Sequence, residues 1–178
     1  YYQFITFRTN DSIDSYVSKI QENHNLSNKN KQYQIDKYLD YSSNGAYLFD
    51  EKIDIFKSIV LEKNNIMYEV DAIAIMPNHV HLLIKQKDDL SKIMKYIKAK
   101  SAIELNKSLG KSGKFWQSDY FDKVIRDEKH YRIVYEYILN NPVKVGLEDA
   151  KKRVYSKYYI SFEFGPGNLF PLLDKKLL

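Results

Sequence analysis

An α+β fold of the ferredoxin-like (split βαβ) kind, an antiparallel sheet with helices on one face, is predicted by three observations. Segments with strand-like alternation and segments with helical spacing of apolar residues follow one another as β, α, β, β, α, β, and one more helix comes after them. The two middle strands are separated by Pro77-Asn78, a turn signal short enough to pair them as a hairpin. The chain has 178 residues, 44% of them hydrophobic, which suits one domain with a proper core.

Each element has its own warrant. "YYQFITFRT" alternates and is rich in aromatics, so it reads as the first strand. Residues 10–49 form a polar insertion, with a short helix near 12–22, a loop, and a second helical piece around "QIDKYLDY"; Gly45 closes it. "DEKIDIFKSIVLEKNN" carries apolar residues at helical spacing, with Asp50 as its N-cap. "IMYEVDAIAIM" and "HVHLLIKQ" are the hairpin strands. "DDLSKIMKYIKAKSAIELNKSLG" is a helix capped by Asp88 or Asp89, with Gly110 past its end. "DYFDKVIRD" is the fourth strand, and "DEKHYRIVYEYILNN" a helix that Pro142 stops. Residues 1–150 are expected to form the domain. Residues 151–178, with "FGPGNLFP", are expected to be an irregular peripheral tail.

Composition narrows the function. The absence of cysteine excludes disulfides, thiol catalysis and zinc-thiolate sites. No apolar run is long enough to cross a bilayer, and no secretory signal is visible, so a cytoplasmic protein is expected. The net charge of +5 favours polyanions, nucleic acid first among them. The 16 tyrosines and 9 phenylalanines offer stacking surfaces for unpaired bases, although most such rings fill cores.

The stretch "AIMPNHVHLLIKQ" places two histidines in an apolar run. Strand side chains alternate faces, so His79 and His81 point one way and Val80 the other. Two imidazoles one pleat apart suit a single metal, but a third ligand is needed; without one they are half-buried sheet residues. Histidine-triad chemistry would need a further histidine where Leu83 stands.

The last helix offers "VYEYILNNPVKVGL". Tyr137 and Asn141 are four apart and share a face. Pro142 biases Asn141 out of helical geometry, which puts its amide at or just past the helix end, where it suits a hard ion such as Mg²⁺. Read as structure alone, Tyr137 is a core aromatic and Asn141 a helix-end residue. Tyr131 and Tyr135 carry no amide four residues on, and Tyr135 points away from the Tyr137 face.

"MPNHVHLLI", "GKFWQSDYFDKVIRDEKH" and "YILNNPVKVGL", in this order, resemble the small single-tyrosine transposases of the HUH class, and within it the REP-associated tyrosine transposases. The resemblance covers roughly residues 1–150. It implies a metal-dependent enzyme that cleaves and rejoins single-stranded DNA, with a hairpin nearby, through a 5′-phosphotyrosine. It also implies a divalent cofactor, Mg²⁺ or Mn²⁺. Carried over, His79 and His81 match the metal-binding pair, Asn141 the helix-borne ligand and Tyr137 the nucleophile. A homodimer is open, since some relatives exchange the tyrosine helix between subunits while the REP-associated branch can act as monomers.

Candidate DNA contacts follow from charge and place. Lys92, Lys95 and Lys98 repeat every three residues along one helix, a stripe that can follow phosphates or be a solvated face. Arg8, Lys114, Lys123 and Arg126 are further phosphate candidates. Trp116, beside Gln117, can stack on a base or cap the core. No clear general base is visible; His130 reads as a surface residue. A non-catalytic ferredoxin-like module that stacks bases on its sheet is the alternative, though the aromatic sheet motifs of RNA-recognition domains are lacking. Relaxases and replication initiators share the chemistry but place the tyrosine differently.

Overall fold

The computed structural model describes residues 1–158. Strand β1 (Tyr2–Arg8) leads through a short 3₁₀ turn to α1 (Ser15–Glu22) and α2 (Asn28–Leu39). Then come α3 (Glu51–Glu62), β2 (Tyr68–Ile75), β3 (His79–Gln86), α4 (Leu90–Leu109), β4 (Phe121–Val124) and α5 (Glu128–Lys144). A single turn, α6 (Ala150–Arg153), and β5 (Val154–Ser156) follow.

The sheet order is β4-β1-β3-β2-β5, every neighbouring pair antiparallel. Strands β1 to β4 form the expected antiparallel sheet, and β2–β3 is the expected hairpin. Alternation along β3 divides the molecule. Val80, Leu82 and Ile84 join the core beneath α3 and α4, with Phe7, Phe56 and Ile97. Leu83 turns to the opposite face, where Val134, Tyr135, Ile138 and Leu139 of α5 cover it. The extra helix therefore lies on the same sheet face as the two histidines. A third small core, of Val17, Ile20, Ile35 and Leu39, ties α1 to α2.

Caps explain several boundaries. Asp14 accepts from the amides of Tyr16 and Val17 at the start of α1, and Asp89 accepts from those of Ser91 and Lys92 at the start of α4. Gly110 closes α4 with φ 61°, a left-handed conformation that glycine adopts without strain.

Three expectations are corrected. Asp50 occupies the position before α3, but with φ 52° its side chain makes no capping bond. Pro142 does not stop α5, which runs on to Lys144. Lying in the last turn, Pro142 forfeits only one ladder bond, and the amides of Val145, Gly146 and Leu147 still bond back to Asn141, Val143 and Pro142. The tail does not begin as irregular chain: Val154–Ser156 pairs with β2 and extends the sheet. The "FGPGNLFP" stretch lies outside the described residues.

Candidate active site

β3 positions the histidines. His79 and His81 are both fully buried, and their ring centroids are 4.8 Å apart. β1 runs alongside, with Thr6 opposite His81 and Arg8 opposite His79. His81 Nδ1 lies 2.9 Å from the Thr6 hydroxyl, and His79 Nδ1 lies 2.8 Å from the side-chain oxygen of Asn78. Asn78 has no freedom to turn round: its Nδ2 donates to the carbonyls of Leu39, Ser42 and Asn44 at 3.1, 3.0 and 3.2 Å. Its oxygen must then accept, so His79 carries its proton on Nδ1 and presents a bare lone pair on Nε2. The Nε2 atoms of both rings are buried and have no hydrogen-bond partner.

α5 supplies the rest. Tyr137 keeps 37% of its surface exposed, yet its ring packs edge-on against His81, with centroids 5.3 Å apart, and against Phe4 at 6.0 Å. Asn141, one turn on, is buried within the helix rather than past its end. A hollow of about 220 Å³ opens beside Tyr137, Asn140, Asn141 and Lys144. The neighbouring tyrosines are committed elsewhere: Tyr131 donates to Asp71 at 2.6 Å, and Tyr135 bonds the Ser156 hydroxyl.

α2 brings two groups that sequence reasoning missed, Asp36 and Asp40. Asp40 Oδ1 stands 3.6 Å from His79 Nε2. Asp36 is buried and accepts from Gln32 at 2.6 Å. A signal was present: Ile35-Asp36 and Leu39-Asp40 repeat at a four-residue interval, so the aspartates share a helix face next to the buried one.

Burial dominates the electrostatics. It pushes His81 down to about 3, and together with the nearby His81 and Arg8 it pushes His79 well below its ordinary value. Both rings are therefore neutral at physiological pH. Burial raises Asp40 to about 6, against the pull of Lys144. It raises Asp36 to about 8, opposed by the Gln32 bond and by Arg8 and reinforced by Asp40. The Tyr137 phenol is raised by burial first and then by Asp36 and Asp40; Asn141 works the other way.

Among the described residues, no three His, Cys, Asp or Glu side chains are grouped so as to hold a metal. The two neutral imidazoles, whose Nε2 atoms are buried and unpartnered, are donors of a kind that suits one.

The remaining candidates scatter. Trp116 is buried, its Nε1 donates to Ser101 at 2.8 Å, and its ring packs on Phe7 and Phe56, which leaves no face for a base. Gln117 bonds Asn10. Lys98 donates to the Ser118 carbonyl and Lys92 pairs with Asp88, while Lys95, Lys114 and Arg126 are exposed and Lys123 is half-buried on β4. Arg8 lines a polar cleft of about 340 Å³ with Lys31, Gln32, Asp119, Tyr120 and Phe121, and its buried Nε has no partner.

A family model for transposases of the IS200-like kind matches residues 46–141, from just before α3 to Asn141. The chain belongs to the IS200-like transposase family. It is 32% identical over 105 residues to a Haemophilus influenzae protein named "Putative REP-associated tyrosine transposase", a match covering 52% of this chain and 60% of that one. A second H. influenzae protein is 30% identical over 104 residues, covering 42% and 54%. The chain thus spans rather more than half the length of these relatives. Among solved structures, a REP-associated tyrosine transposase bound to a REP hairpin aligns with a TM-score of 0.49 at 21% identity, over 82% of this chain and 68% of that one. No helix among the described residues of this IS200-like transposase is long and apolar enough to cross a membrane.

Proposed function

We propose that this IS200-like transposase cleaves and rejoins single-stranded DNA, with Tyr137 as the nucleophile and His79, His81 and Asn141 as the ligands of a divalent cation, Mg²⁺ or Mn²⁺. The observation that carries this reading is the 5.3 Å approach of the Tyr137 and His81 rings, beside two imidazoles whose Nε2 atoms are buried and unpartnered.

The chain's own residues account for most of the chemistry. Asn78 and Thr6 hold the two rings through Nδ1 and aim Nε2 into the site. Phe4 and His81 fix the Tyr137 ring, so its hydroxyl is positioned before substrate arrives. At rest the phenol is kept protonated first by burial, with the Asp40 carboxylate, and Asp36 where it ionises, acting in the same direction. Bound among the imidazoles, a divalent cation would supply Lewis-acid stabilisation of charge on the phosphate and offset the carboxylate field on the phenol. The Tyr137 hydroxyl gives up its proton to solvent as its oxygen forms a bond to phosphorus, the bond from phosphorus to O3′ breaks, and the leaving oxygen takes up a proton from solvent to become a 3′-hydroxyl. The bond energy is stored as a 5′-phosphotyrosine, so the reverse attack by a 3′-hydroxyl rejoins strands without ATP.

The substrate in this reading is single-stranded DNA next to a hairpin, in keeping with the REP-associated relative. The cleft at Arg8, Lys31 and Tyr120 provides charge and an aromatic face, and Arg8 itself stands opposite His79 on the neighbouring strand. The test is incubation with hairpin-bearing single-stranded DNA and Mn²⁺, followed by a denaturing gel. A slow-migrating protein–DNA adduct is expected, lost with EDTA and lost in His81→Ala. An adduct that forms equally well in EDTA would overturn the metal-dependent reading.

A further inference from the structure

The geometry points to Asp40 as the anionic partner of the cation at this site, an inference that rests on the reading above and adds a residue to it. His79, His81 and Asn141 are all neutral donors. Hard divalent ions such as Mg²⁺ and Mn²⁺ favour negatively charged oxygen, and a site of three neutral groups lacks it.

Asp40 is the carboxylate that meets His79. Its Oδ1 is 3.6 Å from His79 Nε2, and its side chain is only 13% exposed. Neither of the two atoms has a hydrogen-bond partner. The separation is too long for a hydrogen bond. It suits two donors that each stand about 2.1 Å from one ion. Among the described residues His79, His81 and Asp40 do not make a three-member metal group by themselves; in this reading Asn141 completes the set and Asp40 contributes the charge.

The placement is built rather than incidental. Asn78 donates to the carbonyl of Leu39, the last residue of α2, while its oxygen holds the His79 ring. One side chain therefore fixes both the end of α2 and the orientation of His79, and Asp40 follows directly after Leu39. The Asp40 amide bonds back to Asp36, which carries the last turn of α2 through to the carboxylate. The polar insertion thereby becomes part of the catalytic centre through a residue that lies outside the segment matched by the family model.

The test is Mn²⁺ titration of the full chain without DNA, with free Mn²⁺ read by electron paramagnetic resonance. Asp40→Asn is expected to weaken Mn²⁺ binding by about tenfold or more, the effect usual for a group that supports a metal site. Asp40→Ala serves as the second variant, and circular dichroism and thermal melting check that each folds. His79→Ala reports on the site itself and should abolish tight binding. If both Asp40 variants fold and bind Mn²⁺ as wild type does, while His79→Ala does not bind, Asp40 is only a latch between α2 and β3 and this inference fails with the function intact. If the wild-type chain itself shows no histidine-dependent Mn²⁺ binding, the metal site and Asp40's place in it fall together.

Discussion

The side-chain oxygen of Asn78 stands 2.8 Å from Nδ1 of His79, and that contact decides which nitrogen of the ring is available for chemistry. Because the Asn78 amide nitrogen is already committed to three carbonyls, the ring must donate through Nδ1 and keep Nε2 bare. Replacing Asn78 with Ala strands those carbonyls as well as the ring. We expect a stability loss on the order of 3 kcal/mol by urea denaturation, together with loss of DNA cleavage. A loss below about 1 kcal/mol would mean that water replaces the amide without difficulty.

Thr6 plays the matching part for His81. Thr6→Val keeps the shape and removes the hydroxyl that meets Nδ1 at 2.9 Å. The expected result is a modest destabilisation, about 1 kcal/mol, and roughly tenfold weaker Mn²⁺ binding, both measurable on the same preparation. Unchanged metal affinity would show that the ring holds its orientation through packing alone.

Asp36 gives a pH signature. Its carboxyl, raised to about 8 by burial, keeps in the folded state a proton that the unfolded chain has already released above its ordinary value of 3.8. Its contribution to stability is fully present at low pH and is lost as the pH rises towards 8. Asp36→Asn removes this titration and leaves an oxygen for Gln32. Urea denaturation between pH 4 and pH 8 should therefore show the variant gaining on wild type, by on the order of 1 kcal/mol per pH unit. A pH-independent difference would show that Asp36 ionises normally.

Trp116, the single tryptophan, makes a convenient probe. It sits in the core against Phe7 and Phe56 with Nε1 bonded to Ser101. Its emission should be that of a buried indole and should not be quenched by added single-stranded DNA. Trp116→Phe should lower stability by about 1–2 kcal/mol, from lost area and one hydrogen bond, while DNA affinity stays within about twofold, a change worth less than 1 kcal/mol. Strong quenching by DNA would place a base against the ring after all.

Much of this was legible in the sequence because it rests on periodicity. The period of two along "HVHLLIKQ" puts His79 and His81 on one face, and the period of the last helix puts Tyr137 and Asn141 on one stripe. What periodicity could not show is how far a helix tolerates a proline. Pro142 lies in the final turn, where it costs one bond, so Asn141 is helical and buried. Nor could it show which long-range neighbour faces a motif. Asp40 lies almost forty residues before His79 in a polar stretch, and the bonds from Asn78 to the carbonyls at the end of α2 bring it there. Trp116 had two equal readings, and core packing decided between them.

The central claim is that the hydroxyl of Tyr137, and of no other tyrosine among the 16, attacks the DNA. Its most direct measurement is to trap the adduct on 3′-labelled single-stranded DNA in Mn²⁺, digest the protein, and identify the modified residue by mass spectrometry. The account predicts a nucleotide attached through a 5′-phosphate to Tyr137, and no adduct in Tyr137→Phe. A nucleotide found on any other residue, or an adduct that survives Tyr137→Phe, would contradict it.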